Sequence, residues 1–187
     1  MNHVNNIVHQ LKEVRKLKES MTAYDCLLNI DFSENYITKY SAEVQSTHFG
    51  GSKAQITLHT GVLYYLDKDP SNDDSTLRNE SFCTITENLK HDPILICAHL
   101  KPIIEHIKTQ VPALQNMHFL SDGPSTQYLK RATAKGAPDG VGGCVKRVAD
   151  MQVALGRDIT NVSILVKCLE ENCKGIKVIQ IDDSEID

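Results

Sequence analysis

No stretch of this 187-residue chain stays apolar for the length of a membrane-spanning helix, and Met1-Asn-His-Val-Asn-Asn-Ile-Val-His9 has no apolar core of leader-peptide length. Neither a membrane association nor a secretory route is expected. The chain is expected to be intracellular, in nucleus or cytoplasm. An excess of positive charge is missing too. Lys and Arg number 20 against 24 Asp and Glu, a formal net charge of −4. That balance argues against a generic nucleic-acid coat protein while leaving room for a local basic patch. His-Glu-x-x-His, Gly-x-Ser-x-Gly and P-loop patterns are absent, which removes the commonest signatures of zinc proteases, serine hydrolases and phosphate-loop enzymes. Gly140-Val-Gly142-Gly143 lacks both the spacing and the preceding strand of a dinucleotide fingerprint, so no organic cofactor is expected. Cys168-Leu-Glu-Glu-Asn-Cys173 has a spacing found in some zinc sites but no second Cys/His pair near it, and is read as structural. Cys26, Cys83, Cys97 and Cys144 fall in apolar or strand-like segments, as reduced core thiols do, and no disulfide is expected.

What is present suits one domain with flanks, because a chain of this length buries roughly 70% of its unfolded surface. A partly periodic apolar stripe predicts a helix over residues 4–20, where Val4, Ile7, Val8, Leu11, Val14 and Leu17 recur among polar residues. Tyr24 to Phe32 reads as a strand buried on both faces, and 54–66 as a second strand, bulged near Gly61. The polar 67–78 segment reads as a loop and 80–87 as the third strand. Asp92-Pro93 opens a helix through Ile94, Cys97, Leu100, Ile103, Ile104 and Ile107, with a kink expected at Pro102. Residues 116–120 are apolar enough for a fourth strand. Helices over about 138–155 and 161–171, a short strand at 176–181 and a disordered acidic tail complete the chain. The expected organisation is an N-terminal helix or linker (1–22), a core (23–156) and a C-terminal helix, short strand and tail (157–187). Three strands, a helix and a fourth strand are the opening of a ribonuclease H-like α/β fold. In it, three antiparallel strands and a parallel fourth form a mixed sheet with flanking helices.

In that order of elements, Asp31 and Asp122 stand where hydrophobic runs meet polar sequence, in Leu27-Leu-Asn-Ile-Asp31-Phe-Ser-Glu-Asn-Tyr36 and Met117-His-Phe-Leu-Ser-Asp122-Gly-Pro124. Strands one and four as neighbours would bring the two carboxylates together, and paired carboxylates hold divalent metal for phosphoryl transfer. Taken singly, Asp31 also reads as a loop cap through Ser33, and Asp122 as an Asp-Gly turn. Asp139, after Pro138 and before the glycines, is either a helix-capping acid or a third ligand. Lys130, Arg131, Lys135, Lys146 and Arg147 gather around this element and either bind nucleic-acid phosphates or form a solvated face. His59 and His118, both in strands, could approach the acids.

Several segments together resemble a family of transposon-derived animal proteins with a ribonuclease H-like transposase core. They are Asp31-Phe-Ser-Glu-Asn-Tyr36, Gln45-Ser-Thr-His-Phe-Gly50, Leu58-His-Thr-Gly-Val-Leu63 and Ser81-Phe-Cys-Thr-Ile85 with Lys90-His-Asp-Pro93. Ser121-Asp-Gly-Pro-Ser-Thr-Gln-Tyr128 and Lys135-Gly-Ala-Pro-Asp-Gly-Val-Gly-Gly-Cys-Val-Lys-Arg147 complete the set. The resemblance runs over about residues 24–155. It implies a DNA strand-transfer or nuclease core using Mg2+ or Mn2+, with Asp31 and Asp122 as catalytic and metal-holding acids and Asp139 as the third. DNA is the implied partner. Only Leu-Lys-Arg-Ala-Thr-Ala separates Tyr128 from Lys135, where the resemblance calls for a fifth strand and an acidic stretch bearing His and Gly. The fifth strand is therefore expected to be missing and the chain to be a catalytically impaired, truncated relative. The alternative is a non-enzymatic nucleic-acid-binding or protein-interaction domain that keeps the fold.

Overall fold

A segment as apolar as Cys26-Leu-Leu-Asn-Ile30 is stable in a sheet only when both of its faces are covered. In the computed structural model, which describes residues 2–42, 53–68, 75–121 and 136–186, it forms the first half of a central strand, β1 (Asp25–Ile37). All five of these residues are buried. Strand β2 (Gln55–Lys68) pairs antiparallel with β1, and β3 (Ser75–Thr86) antiparallel with β2. Helix α2 (Pro93–Gln110) leads to β4 (Asn116–Ser121), which lies parallel to β1 on its other side. A C-terminal strand, β5 (Ile176–Gln180), adds parallel to β3. The molecule is thus an α/β protein with an open five-stranded mixed sheet in the order β4-β1-β2-β3-β5. The remaining helices are α1 (Asn2–Ser20), α3 (Ala137–Ala154) and α4 (Val162–Asn172).

The antiparallel pairings of the first three strands and the parallel fourth agree with the sequence reading, but three lengths do not. β1 continues to Ile37, and β2 and β3 pair as far as Lys68↔Ser75. Polar residues thus occupy strand where a loop is expected, because a continuous ladder satisfies the backbone whatever the side chains are. Arg78 and Asp67 form an ion pair there at 3.1 Å. The bulge expected near Gly61 lies elsewhere. Gly61 is in register opposite Ile30, and the irregularity falls in β1 between Ser33 and Tyr36. The acidic tail forms a short 3-10 turn, Asp183–Glu185. The C-terminal strand extends the same sheet as the core strands. Cys97 and Cys144, expected in the core, are exposed on α2 and α3, while Cys26, Cys83, Cys168 and Cys173 are buried thiols.

The sheet is covered on both sides. Leu28, Ile30, Leu63 and Phe82 pack against Ile103 and Ile107 of α2. Asp92 caps that helix by accepting from the Leu95 N–H at 2.9 Å, and α2 runs on through Pro102. On the opposite face Leu58, Cys83 and Ile85 meet Val141, Val145 and Ala149 of α3 and Leu165 and Leu169 of α4. Val14 and Leu17 of α1 rest on Met21, Leu27 and Leu120. A half-buried polar chain ties β5 to α2: Tyr65 Oη donates to Glu80 at 2.7 Å, His106 Nε2 sits 2.7 Å from the same carboxylate, and Lys177 Nζ is 2.8 Å from His106 Nδ1.

Helix α3 approaches the sheet where its sequence is poorest in side chain. A Cβ at Gly142 would come within 2.9 Å of Ser33 Cβ, closer than packed atoms tolerate, whereas a Cβ at Gly140 or Gly143 would meet nothing within 4 Å. The Gly142→Ala protein should accordingly lose about 1–3 kcal/mol of stability. Gly143→Ala should gain up to about 1 kcal/mol from helix propensity alone. Urea unfolding of the two variants checks the contrast, and equal shifts in one direction would mean that α3 does not dock closely on β1.

Candidate active site

The last described pair of the parallel ladder between β1 and β4 is Ile30↔Ser121. The next residues along the chain are Asp31 and Asp122. Asp122 lies outside the described residues, as do Lys130, Arg131 and Lys135. Asp31 stands within β1 rather than at its end, because β2 goes on pairing with that strand as far as Ile37↔Gln55. It is half-buried and faces Thr60 across the ladder. Strand alternation puts Asp31 and Ser33, with their partners Thr60 and Leu58, on the face covered by α3.

Thr60 fastens the start of α3 to this spot. Its hydroxyl is 3.1 Å from the Pro138 carbonyl oxygen, a buried contact, and 3.3 Å from the carbonyl of Asp31. Asp139, the following residue, is exposed in the first turn of α3. Among the described residues no side chain caps that turn, and Gly136 precedes it with φ of 154°. The positive end of the helix dipole lies at this first turn, an environment that favours anions. Two turns on, Lys146 is half-buried with Nζ 3.4 Å from Glu34 Oε2 and 3.5 Å from the Glu34 carbonyl. Arg147, the adjacent residue, is exposed. The structure thus brings Asp31, Asp139 and Lys146 to one side of the sheet.

The two strand histidines do not join them. His118 is opposite Leu27, well before the end of β4, and lines a groove between α1 and β4. His59 pairs with Phe32, so it faces away from Thr60 into the α2 side. There it forms a buried cluster that the sequence reading missed. His91 stacks on Phe32 with ring centroids 4.3 Å apart, His59 meets the edge of Phe32 at 4.8 Å, and His59 stacks on His99 at 5.0 Å. Thr84 Oγ1 donates to the His59 carbonyl at 3.2 Å, so its lone pairs accept from His99 Nδ1 at 2.7 Å. That assignment puts the His99 proton on Nδ1. One signal in the sequence pointed to His99. It falls three residues after Ile96 and four before Ile103, in the apolar stripe of α2.

Burial first, then His91, pushes His99 down to about 4. Burial, then His99 and His91, holds His59 well below its ordinary value. Both imidazoles are therefore neutral at neutral pH. Among the described residues no group of three His, Cys, Asp or Glu side chains is placed to hold a metal ion, and no helix is long and apolar enough to cross a membrane. A family model described as a domain of unknown function (DUF8701) matches residues 10–134, two thirds of the chain. No curated protein and no solved structure matches it.

The histidine cluster fixes a pH dependence with a definite sign. His99 has a folded value of about 4 against an ordinary 6.5. The unfolded chain therefore takes up protons over that window which the folded chain refuses, and stability present above pH 6.5 is lost as pH falls toward 4. The loss from this residue alone is on the order of 3 kcal/mol. Urea midpoints measured from pH 7.5 to 4 should fall steadily, and less steeply in His99→Gln. A flat profile over this range would show that the cluster is protonated in the folded state.

Proposed function

We propose that this chain, which belongs to the DUF8701 family, is a ribonuclease H-like domain of transposase ancestry, related to metal-dependent DNA strand transfer or cleavage and catalytically impaired. The observation that carries this reading is the register of the β1–β4 ladder. The last described pair of these parallel strands is Ile30↔Ser121, and Asp31 and Asp122 are the next residues in sequence. The first turn of α3, with Asp139, is fastened beside the same point through Thr60. Acids on two neighbouring parallel strands and on a later helix packed across the sheet are what phosphoryl transfer by bound divalent cations requires.

The donor chemistry fits a hard cation. Carboxylate oxygens are the donors that suit Mg2+ or Mn2+. Asp31, Asp122 and Asp139 would hold such ions, which when bound polarise a phosphate and activate water or a 3′-hydroxyl. The protein's own part is to aim the acids and to steady the strand. Lys146, with Lys130, Arg131, Lys135 and Arg147, would meet phosphates. The impairment follows from how Asp122 and Asp139 are joined. Only six residues separate Tyr128 from Lys135, and among the described residues no strand flanks β4 on its outer edge. Acids lacking a rigid neighbouring strand are not held to the roughly half-ångström tolerance that catalysis needs.

Isothermal titration of the purified chain with MgCl2 or MnCl2 should show weak binding that Asp31→Asn abolishes, with no cleavage of labelled DNA by either protein. Robust cleavage lost in Asp31→Asn would mean that catalysis is intact, and metal binding unaffected by Asp31→Asn would remove the acid site from the reading. Replacing Lys146 and Arg147 together by Ala should weaken DNA binding evenly across sequences and reduce the slope of log affinity against log salt by roughly one unit per lost phosphate contact. An unchanged slope would return both residues to an ordinary solvated face.

A further inference from the structure

Beyond Asp31, β1 does something that a regular strand would not. Its register against β2 passes from Ser33↔Leu58 to Tyr36↔Ile56, so one extra residue is inserted on the β1 side. Bulges of this kind re-aim side chains. Here the bulge carries Glu34 and Asn35 to the wall of a cleft of about 530 Å3, closed on the other sides by His91, Gln55, Lys39, and Lys146 of α3. Gly142 makes the cleft narrow, because its missing side chain lets α3 lie against Ser33 and brings Lys146 alongside Glu34 one turn later. The volume lies within the roughly 300–1,000 Å3 of small-molecule sites.

Three chemical features of the cleft are unfinished. Asn35 Nδ2 donates to Gln55 Oε1 at 3.2 Å, which orients the amide and leaves Asn35 Oδ1 as an acceptor, buried and with no hydrogen-bond partner among the described residues. His91 Nε2 is likewise buried without a partner among them. Buried polar atoms are almost always satisfied, and those that are not mark places completed by a ligand or water. Lys39 is committed to Asp150 at 2.6 Å. Lys146 has only long contacts to Glu34, whose side chain is 91% exposed, so its charge is open to an incoming anion.

We propose that this cleft holds one unpaired nucleotide of a DNA strand, with Lys146 on its phosphate and Asn35 Oδ1 accepting from the exocyclic amine of an adenine. The terminal torsion of an asparagine is soft, so the amide gives up its bond to Gln55 Oε1 as it turns Oδ1 into the cleft. Amide recognition of adenine uses that acceptor for the exocyclic amine and the released N–H for the ring nitrogen N7. The inference rests on the nucleic-acid reading of the acids, and it adds a base-reading subsite for an extruded nucleotide whose wall includes Ser33, two residues along β1 from Asp31.

The test uses the full chain in EDTA, so that a failure of metal binding cannot affect it. Titration with 2′-deoxyadenosine 5′-monophosphate, followed by NMR, should move the side-chain amide signals of Asn35 and Gln55. Its affinity should exceed that of 2-deoxyribose 5-phosphate, and that of the purine deoxynucleotide lacking the 6-amino group, by at least fivefold. Lys146→Ala should weaken all three ligands together, whereas Asn35→Leu should erase the preference for the amine. Equal affinity for the three ligands on the unaltered protein would overturn the proposal without any variant, as would amide signals that stay still at saturation. Binding of the nucleotide by a chain that takes up no Mg2+ would leave the cleft standing and remove the metal reading.

Discussion

The contact between the Thr60 hydroxyl and the Pro138 carbonyl, 3.1 Å long and buried, fastens the last third of the chain to the first. Thr60 lies opposite Asp31 in the central ladder, so the point of attachment and the point of interest are the same pair of residues. Once Pro138 is held there, the direction of α3 follows from packing. Val141, Val145 and Ala149 recur at helical spacing and cover Leu58 and Ile85, while Gly142 settles against Ser33. The positions of Asp139 and Lys146 are consequences of that one docking event. A helix free to slide by a single turn would move both charged groups by about 5.4 Å, well outside any useful geometry.

The alternation of a strand gives two neighbouring residues opposite duties. Asp31 faces α3 with Thr60, and Phe32 faces α2 with His59, His91 and His99. Behind the acid, then, sits a packed layer of rings whose two innermost imidazoles are kept uncharged by burial. Uncharged rings fill space and lend stiffness without contributing a fixed positive charge that would neutralise the carboxylate from behind. On its other side the acid faces the first turn of α3, which Thr60 fastens there.

Much of this architecture can be read from residue order alone. The apolar run before Asp31, the Asp92-Pro93 helix start and the short apolar Met117-His-Phe-Leu120 each carry a local signal, and the pairing of the strands follows from their sequence order. The cleft could not be read in that way. A bulge at residues 33–36 depends on how β1 and β2 settle against each other, and Glu34 and Asn35 look like ordinary polar residues in a linear reading. The histidine cluster was hidden for a similar reason, since His91 precedes the helix cap and His59 sits a strand away. Strand lengths were underestimated because polar side chains disguise a ladder that the backbone continues. Of the acids, Asp31 and Asp139 come to one side of the sheet through contacts visible only in three dimensions. The family match, ending at residue 134, spans the first four strands and stops short of the helices that cover one face of the sheet.

Strand β5 follows β3 by about ninety residues of sequence, yet the two pair side by side. During translation the outer edge of β3 must therefore wait while about ninety residues follow it from the ribosome, at roughly 5–20 residues per second. For that interval a twelve-residue strand has an open row of backbone donors and acceptors and a bare apolar face, the kind of surface that chaperones hold and that other nascent chains adopt. The residues that wait for β5, Ser81–Ile85, carry no charge, so no edge charge discourages the pairing of strangers there. The hazard of nascent-chain aggregation is then set by chain order and by the speed with which β5 arrives.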